Sequence, residues 1–277
     1  MTPKLELIHL PAQGTARHAP PLLFVHGAFC GAWCWQPHFL PWFARQGYEC
    51  WALSLEGHGN SEGRRYLPAI GIDDYRKNLA WAIRQLDTPP VVIAHSMGGY
   101  VVQQYLRHAT LPGVVLLASV PPTGLAASSL RLLAGAPSLF IKLNLYQHGQ
   151  YNPDFDELRA LLFSADTPDD DIEWLIRHSQ PESQRAVLDM TLVNPLTIGR
   201  IHRPPALVLG AAGDALIHDD DVKTTARHLG VQAETLPAMG HMTMLDTHWQ
   251  QCAERIADWL PQAAYSGETP YASMQDV

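Results

Sequence analysis

The chain has 277 residues, of which 47% are hydrophobic and 17% charged, and its formal net charge at pH 7 is −8. This composition excludes a disordered or fibrous protein, and the length is sufficient for a large hydrophobic core. The acidic balance argues against nucleic acid as a partner, and no run approaches the roughly 20 apolar residues of a membrane-spanning helix, so we expect no membrane partner either.

The first predicted elements are two strands. Residues 1–10 mix polar and apolar side chains and lack the basic start and apolar stretch of a signal peptide, so we predict an edge strand there. The second strand is Leu22-Leu23-Phe24-Val25. The cysteines show no spacing typical of a disulfide framework, which together with the missing signal peptide favours a cytoplasmic location. They are Cys30, Cys34, Cys50 and Cys252.

Strands and helices then alternate along the chain. Residues 48–53 are a strand candidate, residues 73–87 carry apolar side chains at helical spacing, and residues 114–118 form another buried strand candidate. Short apolar runs that alternate with helices predict an α/β protein, with a mostly parallel central sheet and helices on both faces.

The segment Ala94-His95-Ser96-Met97-Gly98-Gly99 follows the apolar run over residues 91–93 and opens a helical stretch over residues 100–108. A strand, a tight turn, a serine and a helix are the context of the nucleophile elbow, although Ala94 replaces the first glycine of the usual pattern. The two glycines let the start of the helix pack closely under the turn. We predict that Ser96 is a nucleophile; a serine that only turns the chain or caps the helix is the alternative.

A serine nucleophile needs a base and an orienting acid, which in this arrangement follow in the order serine, acid, histidine. A buried strand over residues 206–209 leads into a loop that ends at Asp214, and a strand over residues 232–236 leads to His241. We predict Asp214 as the acid and His241 as the base. Three rival carboxylates stand where a helix should start, which capping explains better; they are Asp219, Asp220 and Asp221.

Two backbone N–H groups should complete an oxyanion hole. One belongs to Met97, directly after the serine, and the other to the loop after the second strand, for which we predict Ala28. Gly27 permits the backbone angles that aim this N–H inward. His26 and His95 are expected to brace these loops through hydrogen bonds.

The rhythm of strands stops between residues 120 and 203, where we predict helices over residues 128–144, 155–164, 169–178 and 181–190. We interpret residues 122–200 as a helical cap inserted into a core formed by residues 1–121 and 201–277. This cap should lie over the carboxyl ends of the strands, where ligands bind in open α/β sheets. Apolar residues of its first part either pack on the core or line an apolar pocket; they are Leu130, Leu132, Leu133, Leu139, Phe140, Ile141, Leu143 and Leu145.

These motifs resemble those of the α/β-hydrolase superfamily over residues 22–260. The stretches over residues 26–35 and 240–245 are similar to the plant methylesterase and hydroxynitrile lyase group and to bacterial esterases and lipases. The loop over residues 53–61 resembles the superfamily's loop after its fourth strand, with Ser54 and Glu56 where an aspartate and an arginine are usual. The resemblance implies the α/β-hydrolase fold with a helical cap, and a serine mechanism that needs no metal or organic cofactor.

Two positions separate the enzyme classes within this group. The lyases carry a threonine where Gly27 stands and a lysine, which assists the departing cyanide, where Met242 stands, so this sequence favours hydrolysis. We predict a serine hydrolase that cleaves a small or medium apolar carboxylic ester through an acyl-enzyme on Ser96. The same machinery serves lactones, thioesters and carbon–carbon bonds, and a hydrolase-fold protein that binds a small molecule with little turnover is an alternative of a different class.

Overall fold

The computed structural model describes residues 3–138, 141–142, 154–192 and 199–265. Its strands are β1 (Leu7–Leu10), β2 (Leu22–Val25), β3 (Cys50–Leu53), β4 (Val91–His95), β5 (Gly113–Leu117), β6 (Ala206–Ala211) and β7 (Ala233–Leu236). They form one seven-stranded sheet in the order β1-β3-β2-β4-β5-β6-β7. The edge strand β1 is antiparallel to β3 and the other described pairs are parallel, which confirms the expected mostly parallel sheet.

Helices cover both faces of the sheet because its central strands are apolar on both sides. In β2, Leu22 and Phe24 belong to one core, with α1 (Phe39–Arg45) and α9 (Trp249–Tyr265). Leu23 and Val25 point to the opposite core, which is completed by α2 (Ile72–Arg84), α3 (Met97–Tyr105) and α8 (Asp219–Leu229). Two short 3-10 helices, Ala32–Trp35 and Arg64–Ala69, lie in the loops after β2 and β3. None of the described helices combines the length and apolar character that crossing a bilayer requires.

Residues 122–200, which we call the cap segment, lie between β5 and β6. The described part of this segment contains α4 (Ala126–Gly135), α5 (Phe155–Leu162), α6 (Asp169–His178) and α7 (Gln184–Thr191). The prediction of one continuous helix over residues 128–144 is wrong, because α4 ends at Gly135 and helical backbone resumes at residues 137–138 and 141–142. Pro137 explains the break: a proline disfavours the helical conformation of the residue before it, and Ala136 has φ −144° and ψ 68°.

The loop after β3 is held by the N-terminal edge of the sheet. Ser54 donates its hydroxyl to Glu6 Oε2 at 2.6 Å and accepts the Ala32 N–H at 2.8 Å. The Asn60 N–H also donates to Glu6, at 3.1 Å. A carboxylate from the N-terminal segment therefore supplies the negative charge that the resemblance would place at residue 54.

Candidate active site

Ser96 lies at the sharp turn between β4 and α3, with φ 50° and ψ −116°. Its N–H donates to the Leu117 carbonyl at 2.9 Å, which fixes the turn to the end of β5. A Cβ added to Gly98 would lie 2.5 Å from the His26 carbonyl oxygen, and one added to Gly99 would lie 2.3 Å from Ser119 Oγ. Both glycines are therefore required for the close approach of α3 to the neighbouring loops.

The structure brings together Ser96, His241 and Asp214, which are far apart in the sequence. His241 Nε2 lies 3.0 Å from Ser96 Oγ, and His241 Nδ1 lies 2.8 Å from Asp214 Oδ2. The other oxygen, Asp214 Oδ1, accepts the N–H groups of Leu216 at 2.8 Å and Ile217 at 2.9 Å. The side chains of His241 and Asp214 are buried, so the hydrogen bond between them is shielded from water. Such a chain of hydrogen bonds can move a proton away from the serine hydroxyl.

The three rival carboxylates lie at the start of α8, and two of them bond to other groups there. Asp221 accepts the His218 N–H at 3.2 Å and the Ser128 hydroxyl at 3.0 Å, so it caps the helix and fixes α4 to it. Asp219 accepts the Thr235 hydroxyl at 2.8 Å, and Asp220 is exposed. In the described structure only Asp214, of the four candidates, bonds to His241.

The loop after β2 packs directly against Ser96. A Cβ added to Gly27 would lie 3.0 Å from Ser96 Cβ and 2.6 Å from His95 Nδ1. Neither the Ala28 N–H nor the Met97 N–H donates to an acceptor among the described residues, so both remain available for a ligand. Met97 is also the first residue of α3, where the helix dipole favours negative charge.

His26 and His95 brace the loops, as expected. His26 Nε2 accepts the Leu55 N–H at 3.0 Å, which leaves Nδ1 to donate to the Gly27 carbonyl at 2.7 Å. Burial and the neighbouring His58 lower the pKa of His26 to about 3, so this ring stays neutral. His95 Nε2 donates to the His241 carbonyl at 2.9 Å, and burial lowers the pKa of His95 well below its usual value.

A cavity of about 110 Å³ opens at Ser96 and His241. Its wall is mainly apolar. Among the described lining residues, Lys142 and Glu157 are charged, and they form an ion pair with each other. Cys30 lines the cavity, as the sequence suggested, whereas no described residue of α4 does so, and Leu130 and Leu133 are exposed. Leu139, Phe140, Leu143 and Leu145 lie outside the described residues. The apolar wall comprises Ala28, Phe29, Leu158, Leu161, Leu162, Leu175, Ile176, Leu216 and Met242.

A fully buried carboxylate that the sequence analysis did not identify holds the loop of His241. Asp246 accepts the Gly240 N–H at 3.0 Å and, from the cap segment, the Ser164 N–H at 2.7 Å. The Met242 N–H donates to the Leu162 carbonyl at 2.8 Å, so the end of α5 is bonded to the same loop. No local motif marks Asp246; its position five residues after His241, in a mostly apolar run, is the signal that was available.

Residues 22–255 match the model of the alpha/beta hydrolase family, and the chain therefore belongs to this family. A search of curated proteins finds no significant match. The fold and the family both support a hydrolase.

Solved structures with the same fold cover most of the chain. A Mycobacterium tuberculosis protein described as a non-heme bromoperoxidase, BpoC, is 21% identical with a TM-score of 0.72, over 95% of this chain and 97% of that chain. A thermophilic esterase from Thermogutta terrifontis is 20% identical with a TM-score of 0.65, over 94% of each chain. A soluble variant of Saccharomyces cerevisiae monoglyceride lipase is 16% identical with a TM-score of 0.72, over 95% of this chain and 92% of that chain. At these identities the likeness establishes the fold, and the reaction must be argued from the site.

Proposed function

We propose that this protein is a serine hydrolase that cleaves a small or medium apolar carboxylic ester through an acyl-enzyme on Ser96. The observation that carries this proposal is the hydrogen-bonded series Ser96, His241 and Asp214 at the mouth of an apolar cavity. A cavity of this kind binds the hydrocarbon part of a substrate, and the buried imidazole beside the serine supplies the proton transfers that acyl transfer requires.

The proposed reaction has two halves. Ser96 Oγ attacks the ester carbonyl carbon while His241 Nε2 takes its proton, and the N–H groups of Ala28 and Met97 stabilise the oxyanion. His241 then gives the proton to the departing alcohol, which leaves an acyl group on Ser96. In the second half a water molecule attacks the acyl carbon while His241 takes a proton from it. The bond between the acyl carbon and Ser96 Oγ then breaks, the carboxylic acid leaves, and His241 returns the proton to Ser96 Oγ.

Cyanohydrin cleavage is disfavoured by the two positions that distinguish the lyases. A threonine at residue 27 would place its Cβ 2.6 Å from His95 Nδ1, so the neighbouring loops would have to move. Met242 lines the cavity and brings no positive charge to a departing cyanide. Lactones, thioesters and carbon–carbon bonds remain the alternative substrates, since the same groups serve them.

We also propose that residues 122–200 form a cap domain on a core of residues 1–121 and 201–277. Support comes from the residues of α5 and α6 in the cavity wall. The free, buried thiols of Cys30, Cys34, Cys50 and Cys252 support a cytoplasmic location, since a reducing compartment keeps cysteines in this form.

The test uses a panel of p-nitrophenyl esters of increasing acyl length, together with lactones, acyl thioesters and mandelonitrile. We expect turnover of the esters, labelling of the wild type by a fluorophosphonate, and loss of both in Ser96→Ala. Benzaldehyde release from mandelonitrile without ester turnover would indicate a lyase. A protein that binds the esters but is neither labelled nor active would be a binding protein instead.

A further inference from the structure

The loop that carries Ala28 is held from the cap segment by the next residue along the chain. The Phe29 N–H donates to Glu182 Oε2 at 3.3 Å, and the Phe29 carbonyl accepts the Gln180 N–H at 3.0 Å. Both polar groups of the Phe29 backbone are therefore bonded to the short segment between α6 and α7. These bonds lie one peptide away from the N–H proposed to stabilise the oxyanion.

The Glu182 carboxylate is buried and satisfied on both oxygens. Its Oε2 also accepts His58 Nε2 at 3.0 Å, and its Oε1 accepts the Tyr75 hydroxyl at 2.9 Å and the Ser183 N–H at 2.6 Å. Burial alone would raise the pKa of Glu182, but His58 and the donors from Ser183 and Tyr75 reverse the effect and hold the pKa below its usual range. The group that Phe29 bonds to is thus a carboxylate anion.

His58 gives this anion a fixed partner in the core. While Nε2 donates to Glu182, the other nitrogen, Nδ1, faces the Glu56 carbonyl at 3.1 Å. Both ring nitrogens of His58 therefore lie within hydrogen-bond distance of an oxygen, which holds the ring in one orientation. The rings of His26, at 5.1 Å, and Tyr75, at 5.7 Å, pack against it. A charged hydrogen bond of this kind, shielded from water, fixes the carboxylate more firmly than a neutral contact would.

Phe29 needs such a constraint because its backbone is strained, with φ 65°. A residue with a Cβ occupies this region only where its surroundings over-determine it. The strained residue directly follows Ala28 in the loop, so the direction of the Ala28 N–H depends on what holds Phe29 in place.

We propose that Glu182 is a positioning residue for the oxyanion hole: it fixes Phe29 and thereby aims the Ala28 N–H at the reacting carbonyl oxygen. Glu182 is absent from the described cavity lining, so it acts through the loop and makes no contact with substrate. The inference rests on the proposed ester hydrolysis at Ser96 and adds that the cap segment completes the catalytic geometry as well as the pocket wall.

The test is Glu182→Gln, which keeps the size of the side chain but replaces one accepting oxygen with an amide donor. Misplacement of a catalytic group by about 1 Å costs on the order of 10²-fold, so we expect kcat on the best p-nitrophenyl ester to fall about 10- to 100-fold with KM little changed. Two matched inhibitors distinguish a misplaced oxyanion hole from a general loss of fold stability in Glu182→Gln. Affinity for a trifluoromethyl ketone, which forms an oxyanion on Ser96, should fall by a factor similar to that of kcat, whereas affinity for the corresponding methyl ketone should not change.

Asp189→Asn is the matched control. Asp189 is also a carboxylate of the cap segment that accepts a backbone N–H of the core, from Ile72 at 3.1 Å, but neither residue lines the cavity. The Asp189→Asn change should leave the ratio of the two ketone affinities at the wild-type value, whatever its effect on the melting temperature.

If Glu182→Gln does not fold, Tyr75→Phe provides a second test, because it removes one donor from the same carboxylate. We expect smaller losses of kcat and of trifluoromethyl ketone affinity in this variant.

Wild-type kcat and trifluoromethyl ketone affinity in Glu182→Gln would overturn the inference, and so would equal losses for both ketones or the same pattern in Asp189→Asn. If Glu182→Gln does not fold, wild-type kcat and wild-type trifluoromethyl ketone affinity in Tyr75→Phe would overturn the inference. Failure of the proposed function has a different signature: the wild type itself would neither hydrolyse esters nor react with a fluorophosphonate.

Discussion

Backbone strain in this protein is gathered at single residues beside the candidate site. In the described part of the chain, the non-glycine residues with a positive φ each follow the carboxyl end of a strand, with angles from 44° to 65°. Each such residue costs on the order of 1–3 kcal/mol and persists only where its surroundings impose it. The strain therefore lies at the edge of the sheet where Ser96 meets His241, which is the position of the candidate active site. These residues are Phe29, Ser96, Ala118 and Ala238.

Asp214→Asn should lower kcat by about 10⁴, the loss that the same change causes in serine proteases. Asp214 Oδ1 is held by two N–H donors and Oδ2 faces His241 Nδ1, so an amide can satisfy only one side with its oxygen. With the oxygen turned to the N–H groups, the amide NH₂ faces the ring and favours the wrong tautomer. Steady-state kinetics on the best ester measures the effect.

The control for this change is Asp219→Asn, since Asp219 is a surface carboxylate that bonds to Thr235 and Lys223. It should leave kcat within about twofold of the wild type, because surface changes are usually small in effect. A comparable loss in both variants would mean that Asp214 is not the orienting acid.

At the scale of helices and loops, α5 and α6 provide most of the described lining that the cap segment contributes to the cavity. Leu161→Ala in α5 should enlarge the cavity and shift the preferred acyl chain to a longer one, since Leu161 is buried and lines the cavity. Each buried methylene contributes about 0.8 kcal/mol, or roughly fourfold in kcat/KM. The measurement is the profile of kcat/KM against acyl length.

Leu133→Ala in α4 is the matched control because Leu133 is 42% exposed and does not line the cavity. Its acyl-length profile should equal that of the wild type. The role given to α5 would be wrong if Leu133→Ala shifted the profile and Leu161→Ala did not.

Local sequence patterns predicted the strands and also Ser96, Asp214 and His241. The three residues were predictable because the ends of parallel strands meet at one edge of the sheet, and because the order serine, acid, histidine along the chain is characteristic. The break at Pro137 was missed, although the sequence contains its signal: Ala136 precedes a proline in the middle of the predicted helix. Glu182 and Asp246 were not predictable in this way. Their partners across the boundary between the cap segment and the core, Phe29 and Ser164, are 153 and 82 residues away, and neither carboxylate stands in a recognisable motif.

At the scale of the whole molecule, buried neutral histidines should make the fold sensitive to acid. The pKa of His26 falls to about 3 from 6.5, and that of His95 is also lowered well below 6.5. Between pH 6.5 and the lowered values, the unfolded chain binds protons that the native protein does not. Their contribution to stability is therefore complete above pH 6.5 and is lost as the pH falls below it, with a slope that approaches one proton for each histidine.

Urea unfolding at pH 7.5, 6.0 and 5.0 measures this dependence. In His26→Gln the side-chain oxygen can still accept the Leu55 N–H. The slope of unfolding free energy against pH should decrease by the amount that corresponds to about one proton fewer bound on unfolding. His18→Gln, at an exposed position, should keep the wild-type slope. A stability that stays constant from pH 6.5 to 5.0 would contradict the assignment of neutral, buried rings.

The hydrogen bonds that cross from the cap segment to the core also bear on enzyme engineering. Exchange of whole caps between relatives is an attractive way to make chimaeras with new substrate ranges, since the joints would fall in the loops beyond β5 and before β6. In this protein a transplanted cap would have to carry its own counterparts of Glu182 and Ser164, aligned with Phe29 and Asp246 of the recipient. From the proposed role of Glu182 we expect a donor chosen only for its pocket to leave Ser96 with poorly placed partners, so donors should be screened for these two polar contacts before their pockets are compared.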